Sequence, residues 1–382
     1  MRGLRPIAVA AVAVLLSVPS ACAAADTPQP AASSASGVIR LASLLPLTGR
    51  SSHSGEAMVN GAKLAINEVN AAGGVLGRQI ELVAEDDACD PGTAVMAAQT
   101  VIKKDVALSV GGYCSSAVVP TLKIFRDAGI PMIIAQANST DLIEPRYDSV
   151  FLICGTVMAE AHFAVDWMKR LGGTRLSVVH DGTSFPITLA ESTAARARST
   201  GALTVVNELK LSQGATNYQR IAQSIIDAKT DIVYYTGYYA EANQLIKDLR
   251  ARGYTSEIVV GDGSADKPLL DELTESESRG VYGTALLVPE LMPELETWSQ
   301  RYQAAYGTRP GPSSAEAYDA VMVAVDAFKR AGSIDHEAVR KALAGTDHAG
   351  LSGQIAFNAD GTRTVPKFLL LKAEGGKFGV AG

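Results

Sequence analysis

Asp86-Asp87-Ala88-Cys89-Asp90-Pro91 and, further along, Gly111-Gly112-Tyr113-Cys114-Ser115-Ser116 hold two cysteines in matched settings. Each cysteine follows a run typical of a buried strand, residues 80–84 and 106–110, and precedes a helix-like run. In a βαβ unit both cysteines would therefore lie at the carboxyl ends of neighbouring strands, close enough to bond. Open α/β sheets bind ligands at that edge.

Ser115 and Ser116 come directly after the second of these strands, where a helix is expected to begin. Exposed backbone N–H groups and a serine hydroxyl at such a place form a site for an anion such as a carboxylate. Ser115 also fits the role of a helix N-cap, and the two roles are compatible.

Length and composition favour two globular lobes of ordinary size. The chain has 382 residues, of which 47% are apolar and 19% are charged, which is typical of a folded protein. The formal net charge is −6, and removal of a leader carrying Arg2 and Arg5 brings it to about −8. This balance argues against nucleic acid or an anionic membrane surface as the main partner.

The first 22 residues predict a secretory signal peptide. Arg2 and Arg5 precede an apolar run over residues 7–18, and small residues follow it, as in the charged, apolar and cleavage regions of such signals. The alternative is a short membrane anchor, although about a dozen apolar residues are few for a bilayer. Export makes a disulfide between Cys89 and Cys114 plausible.

Cys22 lies where a bacterial lipoprotein carries its lipid, in Pro19-Ser20-Ala21-Cys22. Ser20 and Ala21 fit that pattern, and on this ground the prediction is lipidation of Cys22. Pro19 departs from the pattern, because leucine is usual at its position. The alternative is ordinary cleavage after Ala23 or Ala25. Residues 23–37 are rich in Ala, Ser, Pro and Thr and predict a flexible tether.

Strands and helices alternate twice along the remaining chain. The first alternation begins with a strand over residues 38–45, and the second begins at residues 176–179. Helix-like runs separate the strands in both halves, so the sequence predicts an α/β fold with two similar lobes.

Several further segments match one family, in order and over nearly the whole mature chain. They are residues 66–74 (Ile-Asn-Glu-Val-Asn-Ala-Ala-Gly-Gly), the two cysteine elements, residues 234–238 (Tyr-Tyr-Thr-Gly-Tyr) and residues 357–361 (Phe-Asn-Ala-Asp-Gly). On these segments the chain resembles the extracytoplasmic solute-binding proteins of branched-chain amino acid ABC transporters, the leucine/isoleucine/valine-binding protein family.

The resemblance implies a type I periplasmic binding protein fold, with two Rossmann-like lobes, three hinge segments and a ligand clamped between the lobes. We place lobe 1 at residues 38–155 plus 289–360 and lobe 2 at residues 156–288 plus 361–382.

The same resemblance implies five ligand contacts at the head of an amino acid. Ser115 resembles the serine that binds the ligand carboxylate, and Gln136 lies where the family offers a backbone carbonyl to the ammonium. Asn138 stands where a threonine or serine side chain is usual. Tyr238 matches the tyrosine of lobe 2, and Asp262 falls where an acid, usually glutamate, faces the ammonium.

Two further ligand positions follow from the resemblance, and three features depart from it. Phe185 replaces a common aromatic residue of the cleft wall, and Ser54 takes a position that can be tyrosine. Asp262 is one methylene shorter than glutamate, so the ammonium must lie deeper or be bridged by water. Ser54 opens space, and Tyr113 adds bulk near the carboxylate. These departures leave the ligand's side chain open.

Structural alternatives exist for several of these residues. Asp262 precedes a glycine and also fits a turn-forming or helix-capping aspartate. Tyr238 fits an ordinary aromatic on the face of a lobe, and Phe185 fits a core residue. Cys154 is expected to be a buried, inert thiol at the hinge.

The sequence does not favour an enzyme, a cofactor or a metal site. Ser115, His180 and Asp262 would be the members of a catalytic triad, but no Gly-x-Ser-x-Gly elbow is present. His336-Glu337 lacks the second histidine of a zinc helix. No phosphate-binding glycine loop occurs, and the five histidines have no metal-ligand spacing.

We therefore predict capture of a branched-chain or related amino acid by lobe closure. The partners are this small ligand and the permease of an ABC transporter, with no nucleic acid and no membrane contact beyond a lipid anchor. The protein is expected to be an exported monomer. The alternatives are a ligand sensor with the same fold, or a binder of an amide or aromatic acid.

Overall fold

The computed structural model describes residues 37–381. The predicted signal peptide, Cys22 and residues 23–36 of the predicted tether lie outside this range. Within it, none of the helices combines the length and the apolar character needed to cross a bilayer.

Fourteen strands are described within residues 37–381. They are β1 (Ile39–Leu45), β2 (Ile80–Asp86), β3 (Val106–Gly111), β4 (Met132–Ile134), β5 (Val150–Leu152), β6 (Arg175–His180), β7 (Thr204–Lys210), β8 (Ile232–Tyr235), β9 (Glu257–Val260), β10 (Val281–Ala285), β11 (Asp347–Gly350), β12 (Gly353–Ala356), β13 (Leu369–Glu374) and β14 (Lys377–Val380).

Twelve α-helices accompany these strands in the same part of the chain. They are α1 (Ser52–Ala71), α2 (Pro91–Val101), α3 (Ser115–Asp127), α4 (Val157–Arg170), α5 (Ser184–Thr200), α6 (Gln219–Asp227), α7 (Tyr239–Ala251), α8 (Lys267–Asp271), α9 (Glu275–Ser278), α10 (Glu296–Tyr306), α11 (Ser314–Ala331) and α12 (His336–Ala344).

The strands form two separate main sheets, each the centre of one lobe. The first lobe contains a parallel sheet of order β2-β1-β3-β4-β5. The second lobe contains a sheet of order β14-β13-β10-β9-β8-β6-β7, in which β13 and β14 run antiparallel to their neighbours. The predicted α/β fold with two Rossmann-like lobes is confirmed.

Helices alternate with the strands along the chain and pack against one another in pairs. In the first lobe α1 packs against α11, and α2 packs against α3. In the second lobe α4 packs against α5, and α6 packs against α7. Four strands of the first sheet, β1, β3, β4 and β5, are almost entirely buried, as expected for parallel strands covered on both sides. The edge strand β2 is partly exposed.

Three segments carry the chain between the sheets, after β5, after β10 and between β12 and β13. Arg363, which is buried, ties two of them together by donating to the carbonyl oxygens of Ile153 at 2.9 Å and Ser352 at 2.8 Å. These crossings agree with the hinge segments that the resemblance implies, whereas the predicted residue bounds of the lobes stay a prediction.

The sequence pattern did not predict three short strands, β10, β11 and β14. β10 lies at Val281–Ala285, and the chain crosses towards the first lobe directly after it. β11 pairs with β12, and β14 forms a hairpin with β13. All three missed strands contain a glycine, which weakens the apolar pattern of a strand.

Candidate functional site

The two cysteine loops lie side by side at the carboxyl edge of the first sheet. Cys89 and Cys114 are joined by a disulfide with their Cα atoms 5.3 Å apart, which confirms the predicted pairing. Ala88 and Cys89 have positive φ angles of 49° and 54°. Their backbone N–H groups donate to the Asp86 and Asp87 carboxylates at 2.8 and 2.9 Å. The paired aspartates thus explain why the chain turns back sharply here.

Ser115 is the first residue of α3 and is fully buried. Its hydroxyl oxygen accepts the backbone N–H of Ser139 at 3.2 Å. The N-cap residue of α3, Cys114, provides no side-chain cap, so the N–H groups of the first turn keep their positive partial charge without a capping oxygen from that residue. This is the chemistry of an anion site.

Gln136 and Asn138 follow β4 and reach across to the second lobe. The Gln136 amide donates to Oδ2 of Asp262 at 3.1 Å, and the Asn138 amide donates to the same oxygen at 3.4 Å. The Gln136 side-chain oxygen accepts the Ser313 hydroxyl at 2.7 Å. Gln136 therefore uses its side chain here, whereas the resemblance pointed to its backbone carbonyl.

Asp262 follows β9, and its backbone is held in place by a second acidic residue, Glu160. Its backbone N–H donates to Oε1 of Glu160 at 3.0 Å. Burial is the largest cause that raises the pKa of Asp262 well above its ordinary value, and the negative charge of Glu160 adds to it. The carboxyl group thus lies in a place where a positive partner would favour its ionised form.

Three aromatic rings form a stack between the lobes. The Tyr238 ring lies between Tyr113 of the first lobe, 6.1 Å away between centroids, and Phe185 of the second lobe, 5.9 Å away. All three residues are buried. Gly263 fits against the stack because a Cβ there would meet Phe185 at 3.0 Å and Tyr238 at 3.1 Å.

Ser54 and Tyr113 occupy neighbouring places at the first-lobe side of the stack. Ser54 lies in the first turn of α1 and is buried. Burial raises the pKa of Tyr113 above its ordinary value, while a hydrogen bond with the Ser54 side chain opposes that rise. The space that a serine opens at position 54 is thus taken up by the tyrosine at position 113.

The structure gathers all seven predicted positions at the edge where the lobes meet. Their roles in ligand binding stay a prediction. The Nδ1 atom of His180 has no hydrogen-bond partner within residues 37–381. Cys154 is buried, and its thiol donates to the Ala137 carbonyl oxygen at 3.4 Å.

Sequence reasoning did not single out several residues of this edge. The Ser184 hydroxyl of the second lobe donates to the Asp141 carboxylate at 2.6 Å and shares a hydrogen bond of 2.8 Å with the Ser139 hydroxyl. Glu160 also escaped notice, because a glutamate inside an amphipathic helix has the signal of a solvated face.

Comparison with known proteins shows the family to which the chain is similar. The chain matches the family described as periplasmic binding protein over residues 38–377. An amino acid binding protein of Pseudomonas aeruginosa is 29% identical, and the match covers 76% of this chain and 78% of that protein. The Leu/Ile/Val-binding protein BraC3 of Rhizobium johnstonii is 28% identical over 89% of this chain and 93% of its own.

A solved structure shares the fold. The leucine binding protein LivK of Thermotoga maritima superposes with a TM-score of 0.83 and 24% sequence identity, covering 90% of this chain and 98% of its own. This likeness supports the fold described above.

Proposed function

The chain belongs to the periplasmic binding protein family, and on that premise we propose that it captures an amino acid between its lobes and delivers it to an ABC transporter permease. The curated relatives named above, which are called amino-acid-binding and Leu/Ile/Val-binding proteins, support an amino acid as ligand. The cargo class is a branched-chain or related L-amino acid.

One observation carries the proposal: the Asp262 carboxylate of the second lobe points at donors of the first lobe. The amides of Gln136 and Asn138 reach the same oxygen from across the cleft. An ammonium group is a stronger partner for this oxygen than a neutral amide, because hydrogen bonds to charged groups contribute roughly 1.5–3 kcal/mol each.

The other end of an amino acid finds its partner at the start of α3. The N–H groups of Ser115 and Ser116 have no backbone or side-chain acceptor within residues 37–381. We assign the ligand carboxylate to them. Ser139 connects this end to the other, since its N–H reaches Ser115 and its neighbour Asn138 reaches Asp262.

The stack of Tyr113, Tyr238 and Phe185 provides the apolar wall of the proposed site. A ligand side chain would contact these rings and gain affinity from the apolar area that it buries. We assign no chemistry on the ligand to the protein, so its work ends with binding, closure and release. We also propose that the chain is exported, acts as a monomer and carries a lipid on Cys22.

The test is a thermal-shift screen of the chain without its first 36 residues against the twenty L-amino acids, followed by calorimetry of the positives. We expect a shift with one or more branched-chain amino acids and no shift with their analogues that lack the amino group. A shift with an aromatic acid or an amide, and with no amino acid, would contradict the proposal. Loss of uptake of the same amino acid on deletion of the gene tests delivery.

A further inference from the structure

Glu160 is a buried carboxylate to which the binding scheme above gives no role. It lies in the first turn of α4 and is 0% exposed. Its Oε1 accepts three donors from three different segments: the hydroxyl of Thr284 at 2.6 Å, the N–H of Asp262 at 3.0 Å and the hydroxyl of Tyr234 at 3.3 Å. This oxygen therefore fixes the loop that presents Asp262.

The second oxygen of Glu160 is in a different situation. The Asn138 amide lies close enough to the carboxyl group to favour its ionised form, yet Oε2 makes no hydrogen bond to any residue in the range 37–381. A buried carboxylate oxygen without a donor is costly unless it carries a proton or meets a cation.

Glu160 and Asp262 form an acid pair that ionises with difficulty. Burial, the largest cause, raises the pKa of Glu160 to about 7, and burial together with the charge of Glu160 raises the pKa of Asp262. Glu316 of α11 adds negative charge near Asp262, and Arg363 offsets it from beside Glu316. The other titratable groups that face the pair are Tyr113, Cys154, Tyr234 and Tyr238.

We propose that Glu160 is a specificity-determining residue, which positions Asp262 and forms with it a two-acid site that holds one proton until a ligand ammonium replaces it. The inference rests on the proposed function, since it needs a cationic group to enter beside Asp262. The proton leaves to solvent, the ammonium keeps its own protons, and no bond of the ligand breaks. An incoming ligand without an ammonium leaves the proton in place.

Proton release makes affinity depend on pH in a defined direction. The ammonium lowers the pKa of the acid pair, so binding releases a proton wherever the free pair is protonated and the bound pair is not. Affinity for an amino acid then rises with pH across the neutral range, by up to about tenfold per pH unit for one proton. Discrimination against ligands without an ammonium rises with it.

The test is calorimetry with L-leucine, or with the L-amino acid that ranks first in the thermal-shift screen, at pH 7 in phosphate and in Tris. These buffers differ in ionisation enthalpy, so the difference in heat counts the protons released. We expect between one half and one proton per ligand for the parent protein. In Glu160→Gln, which keeps an acceptor oxygen but cannot ionise, release falls by at least half and the dependence of Kd on pH between 6 and 8 flattens.

The matched control is Glu257→Gln, which removes a partly buried carboxylate at the opposite end of β9 and should leave proton release unchanged. Binding of L-leucine by the parent protein with equal heats in both buffers overturns the inference and leaves the proposed function intact. Equal release by Glu160→Gln and the parent also overturns it. Absence of binding by all twenty L-amino acids overturns the proposed function, and the inference falls with it.

Discussion

The guanidinium of Arg50, in the first lobe, donates to Oε1 of Glu241, in the second. The same Glu241 oxygen accepts the backbone N–H of Gly214 at 3.0 Å, and the Tyr239 hydroxyl donates to the Arg50 carbonyl oxygen. Glu241 is buried, whereas the Arg50 side chain is 58% exposed. The lobes are therefore fastened at the rim of the cleft by a group of contacts separate from the candidate ligand contacts.

Replacing Arg50 tests whether this fastening stabilises the closed form. Arg50→Gln should weaken ligand binding by about 1.4- to fivefold, because a partly exposed ion pair contributes roughly 0.2–1 kcal/mol. The loss should shrink at 0.5 M salt, where exposed charges are screened. Arg40→Gln, which breaks the surface pair with Glu81 inside the first lobe, is the control. Equal affinity of the Arg50 variant and the control would show that closure does not depend on this contact.

Removal of the Asp262 carboxylate tests the cation end of the site. Asp262→Ala should abolish the thermal shift given by any amino acid and raise Kd roughly ten- to a hundredfold, as expected for the loss of a charged hydrogen bond worth about 1.5–3 kcal/mol. Asp271→Ala, which removes an exposed carboxylate paired with Lys267, should bind as the parent does. An unchanged shift in the Asp262 variant would place this residue outside the site.

Prediction from sequence was most accurate for the first sheet. Residues 106–110 were predicted to form a strand, and β3 spans Val106–Gly111, because a parallel strand covered on both faces has a continuous apolar run. The loops that follow such strands were found for the same reason. Ser115 begins the helix that follows β3, whereas Gln136 and Asn138, on the loop that follows β4, were expected from the family resemblance.

Contacts between distant segments could not be predicted in this way. Glu160 meets Thr284 across 124 positions of the chain, and Gln136 meets Ser313 across 177. Local patterns place a residue on a helix or a loop, but which side chains meet at a crossing depends on how the lobes pack. β10 was missed because Tyr282-Gly283-Thr284-Ala285 has no period-2 apolar pattern, and Thr284 was missed with it.

The disulfide is expected to stabilise the folded chain and the start of α3. Cys89→Ser should lower the free energy of unfolding by about 2–4 kcal/mol in non-reducing buffer, since the bridge closes a loop of 25 positions. Urea melts of the parent with and without dithiothreitol provide the control, because the reductant should destabilise the parent and leave the variant unchanged. Equal midpoints of variant and parent without reductant would argue against the bridge.

The buried carboxyl group of Glu316 is expected to make the folded protein less stable as pH rises from 4.5 to about 8. Burial, the largest cause, raises its pKa from 4.5 to about 8, and its Oε2 has no hydrogen-bond partner within residues 37–381. Between these two pH values the unfolded chain ionises this group while the folded chain keeps it protonated. The contribution of Glu316 to stability is therefore complete below pH 4.5 and is lost as pH rises to 8.

Glu316→Gln removes this proton linkage. Denaturant melts should show the variant more stable than the parent by roughly 1–3 kcal/mol at pH 8, the cost of a buried unsatisfied group, with no gain at pH 4.5. Glu337→Gln, on the exposed face of α12, should give no gain at either pH. A variant that is equally or less stable than the parent at pH 8 would contradict the assignment.

Tyr238 links the two lobes through the aromatic stack, and its ring and its hydroxyl can be tested separately. Its centroid lies 6.1 Å from that of Tyr113 in the other lobe and 5.9 Å from that of Phe185 in its own. Tyr238→Ala removes both contacts and should raise Kd about tenfold or more, because each aromatic pair contributes roughly 0.5–1.5 kcal/mol beyond the area that it buries. Tyr238→Phe keeps the ring and should bind within about threefold of the parent if stacking dominates.

Calorimetry of both Tyr238 variants separates the two contributions, since a large loss of affinity in Tyr238→Phe would show that the hydroxyl, and not the ring, holds the ligand. Tyr282→Ala, in β10 at a partly exposed position, controls for the general loss of an aromatic residue and should leave Kd unchanged.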